Sequence, residues 1–123
     1  MSGEPTSGLR GRMGAALTSS MKARDRLAVS ALRSALARVS NAEAVHVDSV
    51  PRAGAIEDAR VGAGAADAAR RELTEADERG LVEAEVAEHD HAAQHLTDAG
   101  RPDDAARVTV EADVLRELLA GSD

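Results

Sequence analysis

Four side chains that could bind a metal recur at helical spacing in the second half of the chain. They are Glu88, His91, His95 and Asp98. Two imidazoles four residues apart lie on one helix face and can chelate one Zn²⁺ or Ni²⁺ ion. This face is opposite the predicted core stripe, and structural zinc sites usually draw ligands from more than one element. We therefore favour a solvated polar face and expect no bound cofactor, with a metal site at His91 and His95 as the alternative.

Two carboxylates lie at the edges of predicted apolar stripes. Glu85 accompanies Val82 and Val86, and Glu111 accompanies Val108 and Leu115. A carboxylate at a core edge needs a partner. Arg33, at the edge of an apolar face in the first half, is predicted to pair with Glu85 or Glu111. The alternative is a paired-carboxylate acid/base site, but no nucleophile or cleft-forming loop accompanies it.

The composition excludes several kinds of chemistry. The 123 residues include no Cys, Phe, Tyr or Trp, so disulfides, thiolate sites and aromatic stacking of bases are ruled out. Alanine supplies 27 residues, and Leu, Val and Ile only 23 together. Such a thin, alanine-rich core favours closely packed helices over a sheet, which would need β-branched and aromatic residues.

Charge is divided unevenly along the chain, which has a net charge of −7. The first 40 residues carry seven Lys and Arg against two acids, whereas residues 73–123 carry four Arg against fourteen acids. The basic segment could contact phosphates. We favour mutual neutralisation of the two halves, because the overall charge repels phosphate. The candidate cations are Arg10, Arg12, Lys22, Arg24, Arg26 and Arg38.

The first half predicts a helical hairpin. Leu9, Met13, Leu17 and Met21 recur every four residues and predict a helix that ends near Arg24. Asp25 is a suitable N-cap for a second helix, which should run to about Ala42. Its predicted core face comprises Ala28, Val29, Leu32, Ala35, Leu36 and Val39.

The second half predicts another hairpin. Thr74 followed by Asp77 and Glu78 is typical of a helix start, and Gly100 provides the stop. Val82, Val86, His89, Ala93 and Leu96 share one face of this helix, so His89 should be packed and hydrogen-bonded. Pro102 suits the first position of the last helix, which Gly121 ends. Its core stripe comprises Val108, Ala112, Leu115 and Leu119, and Val110 and Val114 point away from it, which would suit a partner or dimer surface.

Together these signals predict a single all-α domain over residues 9–120. Two antiparallel helical hairpins pack together, and residues 44–72 form a long irregular connection rich in Gly and Ala. Residues 1–8 should be a disordered lead-in. The lack of a signal sequence, of a membrane-spanning run and of cysteine favours the cytoplasm.

The order and spacing of several short motifs resemble the YqeY (GatB/YqeY) family over residues 9–120. The connection is similar to that of members from high-GC Gram-positive bacteria. The motifs are Met21-Lys-Ala-Arg-Asp25, Ser30-Ala-Leu-Arg33-Ser-Ala-Leu36, Leu73-Thr-Glu-Ala-Asp77 and Ala99-Gly-Arg101-Pro-Asp103, followed by Glu111 and Leu115.

This family is similar to the C-terminal part of the GatB subunit of the glutamine-dependent tRNA amidotransferase. There the region is a helical appendage that contacts tRNA away from the catalytic site. The resemblance implies no catalytic residue at the matched positions. It also stops near Gly121, before the three-helix tail that many members have and that is most closely tied to tRNA contact.

The resemblance therefore implies a non-catalytic interaction module whose protein partner belongs to the tRNA-dependent amidation or translation machinery. One alternative is an enzyme or accessory with carbon–nitrogen ligase activity that uses glutamine as the amido-nitrogen donor. That activity would need an ATP site, a glutaminase nucleophile and an ammonia channel, and none is evident in the sequence. The other alternative is a small helical metal-binding protein that binds the metal through His91 and His95. A dimer and tRNA binding stay open.

Overall fold

Four α-helices account for almost all of the chain that the computed structural model describes, which is residues 8–48 and 73–121. Within these ranges there is no strand. Most of the predicted lead-in (residues 1–8) and most of the predicted connection (residues 44–72) lie outside them. The helices are α1 (Leu9–Ala23), α2 (Arg26–Asp48), α3 (Glu75–Asp98) and α4 (Pro102–Ala120).

The helices form the two predicted hairpins, α1–α2 and α3–α4, and the hairpins pack against each other mainly through α2. The prediction of an all-α fold with two helical hairpins is confirmed. Six side chains at the centre are fully buried, and small Ala31, Ala35 and Ala112 beside them allow the helices to approach closely. The six are Leu9, Met13, Leu32, Val39, Val82 and Leu115.

The predicted helix boundaries follow from local capping chemistry. Asp25 accepts a hydrogen bond from the backbone N–H of Ala28 at 3.1 Å and so caps the start of α2. Thr74 and Asp77 form a reciprocal capping box at the start of α3. Gly100 has φ of +79°, which glycine adopts without strain, and Pro102 opens α4.

Two details of the first hairpin differ from prediction. Helix α2 continues to Asp48, six residues past the expected end near Ala42, because Ala and Glu favour a helix there and the first proline comes only at Pro51. Met21 is 49% exposed instead of buried. A repeat of four residues rotates by about 40° per step around a helix, so Met21 has turned by about 120° from Leu9 and left the core.

No helix in these ranges has the length and apolar character that would let it span a bilayer.

Candidate functional site

The turn between α1 and α2 carries several exposed basic side chains. Helix α1 ends at Arg24 in the left-handed conformation (φ 60°), and the backbone N–H of Asp25 donates to the carbonyl of Ser20 at 2.9 Å. Since Asp25 immediately caps α2, only two residues separate the helices. This tight turn crowds basic side chains from both helix ends, and we call the surface the basic tip. It comprises Met21, Lys22, Arg24, Arg26, Val29, Ser30 and Arg33.

An open groove of about 590 Å³ crosses the basic tip. Its apolar part is formed by Met21 and Val29, and its cations are Arg24, Arg26 and Arg33. No acidic residue lines it. Among the side chains of residues 8–44 and 73–121, no ion pair engages these three arginines or Lys22. The groove can therefore bind a group that combines an apolar side chain with negative charge.

Three of the six candidate cations for phosphate contact instead contact other groups of the protein. Arg10 forms a two-pronged contact with Glu43, at 2.8 and 3.1 Å, and this hydrogen-bonded carboxylate raises the pKa of Arg10. Arg12 donates to the carbonyl of Leu118 at 3.5 Å. Arg38 pairs with Glu85 and Glu88 on α3. The structure thus leaves Lys22, Arg24 and Arg26, of the six predicted cations, together at the tip.

A polar network joins α2 to α3 at the edge of the core. Glu85, 6% exposed, accepts hydrogen bonds from the hydroxyl of Ser34 and from Arg38 at 2.8 Å. Arg38 also contacts both carboxylate oxygens of Glu88, at 2.8 and 2.9 Å. The hydrogen bonds to Glu88 and, second, to Glu85 raise the pKa of Arg38. The same contact with Arg38 lowers the pKa of Glu88. The buried charge of Glu85 is therefore compensated.

His89 links this network to α4. Its Nδ1 lies 2.8 Å from the backbone carbonyl of Glu85, and its Nε2 lies 3.0 Å from Oε1 of Glu111. A carbonyl can only accept, so Nδ1 carries a hydrogen and donates it. The contact with Glu111 then needs one further proton, held by the imidazole or the carboxyl group. The prediction that His89 is packed and hydrogen-bonded is confirmed.

The prediction that Arg33 pairs with Glu85 or Glu111 is wrong. Glu85 pairs with Arg38 rather than Arg33, and the partner of Glu111 among the described residues is His89. Arg33 is exposed and lines the basic tip. Arg33 and Arg38 are five residues apart, which places them about 140° apart around α2, so they flank the core face on opposite sides. Helix α3 packs on the side of Arg38.

Sequence reasoning missed Ser34 and Arg38 as the partners of Glu85. Their four-residue spacing puts them on one face of α2, a signal that was available in the sequence. Which flank of α2 faces α3 is a property of the packed helices. The two carboxylates of the alternative acid/base site lie on opposite sides of the His89 ring. Glu85 Oε2 is 3.9 Å from Nδ1, and Glu111 Oε1 is 3.0 Å from Nε2. A cleft of about 240 Å³ beside them is lined by Glu88, His89, Ala92, Val108 and Glu111.

The predicted metal face is exposed on α3. His91 and His95 are both exposed, as are Glu88 and Asp98. Glu88 is engaged by Arg38, and Asp98 accepts from Gln94 at 3.0 Å. Within the part of the chain that the structure describes, no group of three His, Cys, Asp or Glu side chains is arranged to hold a metal ion.

No family model, curated protein or solved structure matches this chain.

Proposed function

We propose that this chain is a non-catalytic interaction module of the YqeY type whose basic tip binds a protein of the tRNA-dependent amidation or translation machinery. The observation that carries the proposal is the groove of the basic tip. It combines exposed Met21 with three arginines that no ion pair engages among the described residues. The identity of the partner machinery comes from the sequence resemblance.

The chemistry of the groove favours a protein partner over RNA. Arginine binds carboxylates through two parallel hydrogen bonds, and methionine adapts its shape to apolar partner side chains. RNA recognition usually stacks bases on aromatic rings, and the chain has none. Its net charge of −7 also repels phosphate at a distance. The expected ligand is an acidic segment with an exposed apolar side chain.

The test is a capture experiment with three versions of the tagged chain at low concentration. They are the natural sequence, the tip variant Arg26→Glu/Arg33→Glu and the control Glu83→Arg, which reverses an exposed charge on α3. Bound proteins and RNA are identified from the host lysate with and without ribonuclease. We expect the natural chain and the control to recover amidotransferase or translation proteins. The tip variant should recover much less of them, and ribonuclease should not change the recovery.

Two results would contradict the proposal. Equal recovery of these proteins by the tip variant would remove the basic tip as the binding surface. Recovery that disappears with ribonuclease would show that RNA is the ligand. The non-catalytic part is tested separately, by measuring glutamine-dependent amidation with the purified chain alone and with the captured proteins in the presence and absence of the chain. A new amidation activity from the chain alone would favour the ligase alternative.

A further inference from the structure

Among residues 8–44 and 73–121, whose side chains the structure describes, only two large apolar side chains are strongly exposed. They are Met21 at 49% and Val110 at 43%. The two lie on different hairpins, and their surroundings carry opposite charge. Met21 lies in the basic tip, whereas Val110 lies on α4, in the acidic half of the chain.

Val110 belongs to an amphipathic stripe on α4 that faces away from the core. Spacings of three and four residues place its members on one helix face. Glu117 has no ion-pair partner among the described residues, and Asp113 contacts only Arg116 there, at 3.2 Å. We call this surface the acidic stripe. It comprises Ala106, Val110, Asp113 and Glu117. Val114, also predicted to point away from the core, is half-buried and packs against it.

The basic tip and the acidic stripe are neighbours on the molecule. A cleft of about 400 Å³ separates them, lined on the hairpin-turn side by Ser20 and Asp25 and on the α4 side by Val114 and Glu117. A two-fold dimer can cover both of these surfaces at once. Its symmetry axis places the basic tip of each copy against the acidic stripe of the other copy.

We propose that the occupant of the basic tip in the purified protein is the acidic stripe of a second copy, and that the two copies form a reciprocal dimer. Arg26 and Arg33 of one chain meet the carboxylates of Asp113 and Glu117 of the other. Met21 packs against Val110 at each of the two contacts. Complementarity holds in both apolar and charged groups, and a small contact of this kind gives a concentration-dependent dimer.

This dimer goes beyond the proposed function, since it requires no other protein. It also covers the surface that the proposed function presents to a partner, so a partner would compete with the second copy. The two proposals can fail independently. Dimerisation is measured on the purified chain alone, and partner capture is measured at low concentration, where the chain is a monomer.

The first experiment is sedimentation equilibrium of the full chain over a range of concentrations and two salt levels. In about 0.1 M salt, where charges interact over about 10 Å, we expect the mass to rise from 12.7 kDa toward twice that value. In about 1 M salt, where that distance is about 3 Å, the dimer should weaken at least tenfold. A mass that stays at 12.7 kDa at every concentration overturns the proposal.

The second experiment uses complementary charge reversals. The tip variant Arg26→Glu/Arg33→Glu makes both patches acidic, and the stripe variant Asp113→Arg/Glu117→Arg makes both patches basic. Each variant alone should remain a monomer because its contacts repel. Mixed in equal amounts they should form a heterodimer, since each contact again joins opposite charges. The control Glu83→Arg should dimerise like the natural chain.

Folding of each variant is checked by circular dichroism, and recovery in the mixture requires that both are folded. A tip or stripe variant that dimerises as well as the natural chain would show that another surface holds the copies together. A mixture that remains monomeric, although the natural chain dimerises, would show that the two patches do not meet.

Discussion

At the residue scale, the network around Glu85 shows how one buried carboxylate organises three helices. Ser34 and Arg38 from α2 reach its oxygens, and the carbonyl of the same residue accepts from His89, which also reaches Glu111 on α4. A buried charge that loses its partner is costly, whereas the same site filled by apolar groups can be neutral. The network therefore favours one register of α3 against α2.

This assignment predicts that Arg38→Leu destabilises the protein and that Arg33→Leu does not. Removing Arg38 leaves the Glu85 carboxylate with Ser34 as its one hydrogen-bond donor among the described residues, and we expect a loss of roughly 2 kcal/mol in the free energy of unfolding. Arg33→Leu, the matched control at an exposed position, should change it by less than about 0.5 kcal/mol. Urea denaturation measures both. The double variant Arg38→Leu/Glu85→Leu should recover most of the loss, and equal losses from the two single variants would contradict the assignment.

At the element scale, the helix ends are determined by local chemistry, and the turn between α1 and α2 is the exception that carries strain. Arg24 is the only non-glycine residue with positive φ among those described. A left-handed residue after a helix is usually glycine, because a Cβ atom is crowded there. A basic residue at this strained position is compatible with a role for the side chain in binding.

Replacing Arg24 by glycine should therefore stabilise the fold while weakening the contacts of the basic tip. We expect the free energy of unfolding to rise by roughly 0.5 kcal/mol, since relief of the strained conformation exceeds the added flexibility of the unfolded chain. Arg26→Gly removes the same charge from the first turn of α2 and should instead lower stability, by up to about 1 kcal/mol. Thermal melting of the two variants measures the contrast, and a fall in stability for Arg24→Gly would argue against strain at the turn.

At the scale of the whole molecule, exposed ion pairs link α2, α3 and α4. Arg38 and Glu88 join α2 to α3, Arg116 and Asp90 join α4 to α3, and the hydrogen bonds from the arginines lower the pKa values of both carboxyl groups. Glu78 is different. Burial, reinforced by nearby Glu75 and Glu43, raises its pKa, although Arg10 and its backbone N–H oppose the shift.

These shifts predict opposite contributions to stability in acid. Carboxyl groups with lowered pKa values stabilise the fold above their unfolded pKa of about 4, and that contribution is lost as the pH falls through the folded value. The melting temperature should therefore drop below about pH 4. Glu78 acts in reverse, because its charged form is disfavoured in the fold. Its contribution falls as the pH rises from about 4.3 through its raised folded pKa.

The variant Glu78→Gln isolates the second effect. It keeps an oxygen that can accept the hydrogen bond from Arg10 but removes the charge, so it should melt a few degrees higher than the natural chain at pH 7. The two melting temperatures should converge as the pH is lowered and Glu78 becomes protonated. A difference that is independent of pH would assign the gain to packing instead of charge.

Local signals in the sequence predict the helical class, the two hairpins and most helix ends. Caps such as Thr74 and Asp25 and the stop at Gly100 act within a few residues, so their effects can be predicted without knowing the rest of the fold. The family resemblance and the partner that it implies also came from the sequence, and they stay a prediction.

Which side chains contact each other depends on how the helices pack. Arg33 and Arg38 both flank the core face of α2, and only the side on which α3 packs selected Arg38 for Glu85 and left Arg33 in the basic tip. Met21 likewise belonged to an apolar repeat but lies in solvent. The physical reason is that helical periodicity defines an apolar face, whereas the rotation and crossing of neighbouring helices decide what each flank of that face contacts.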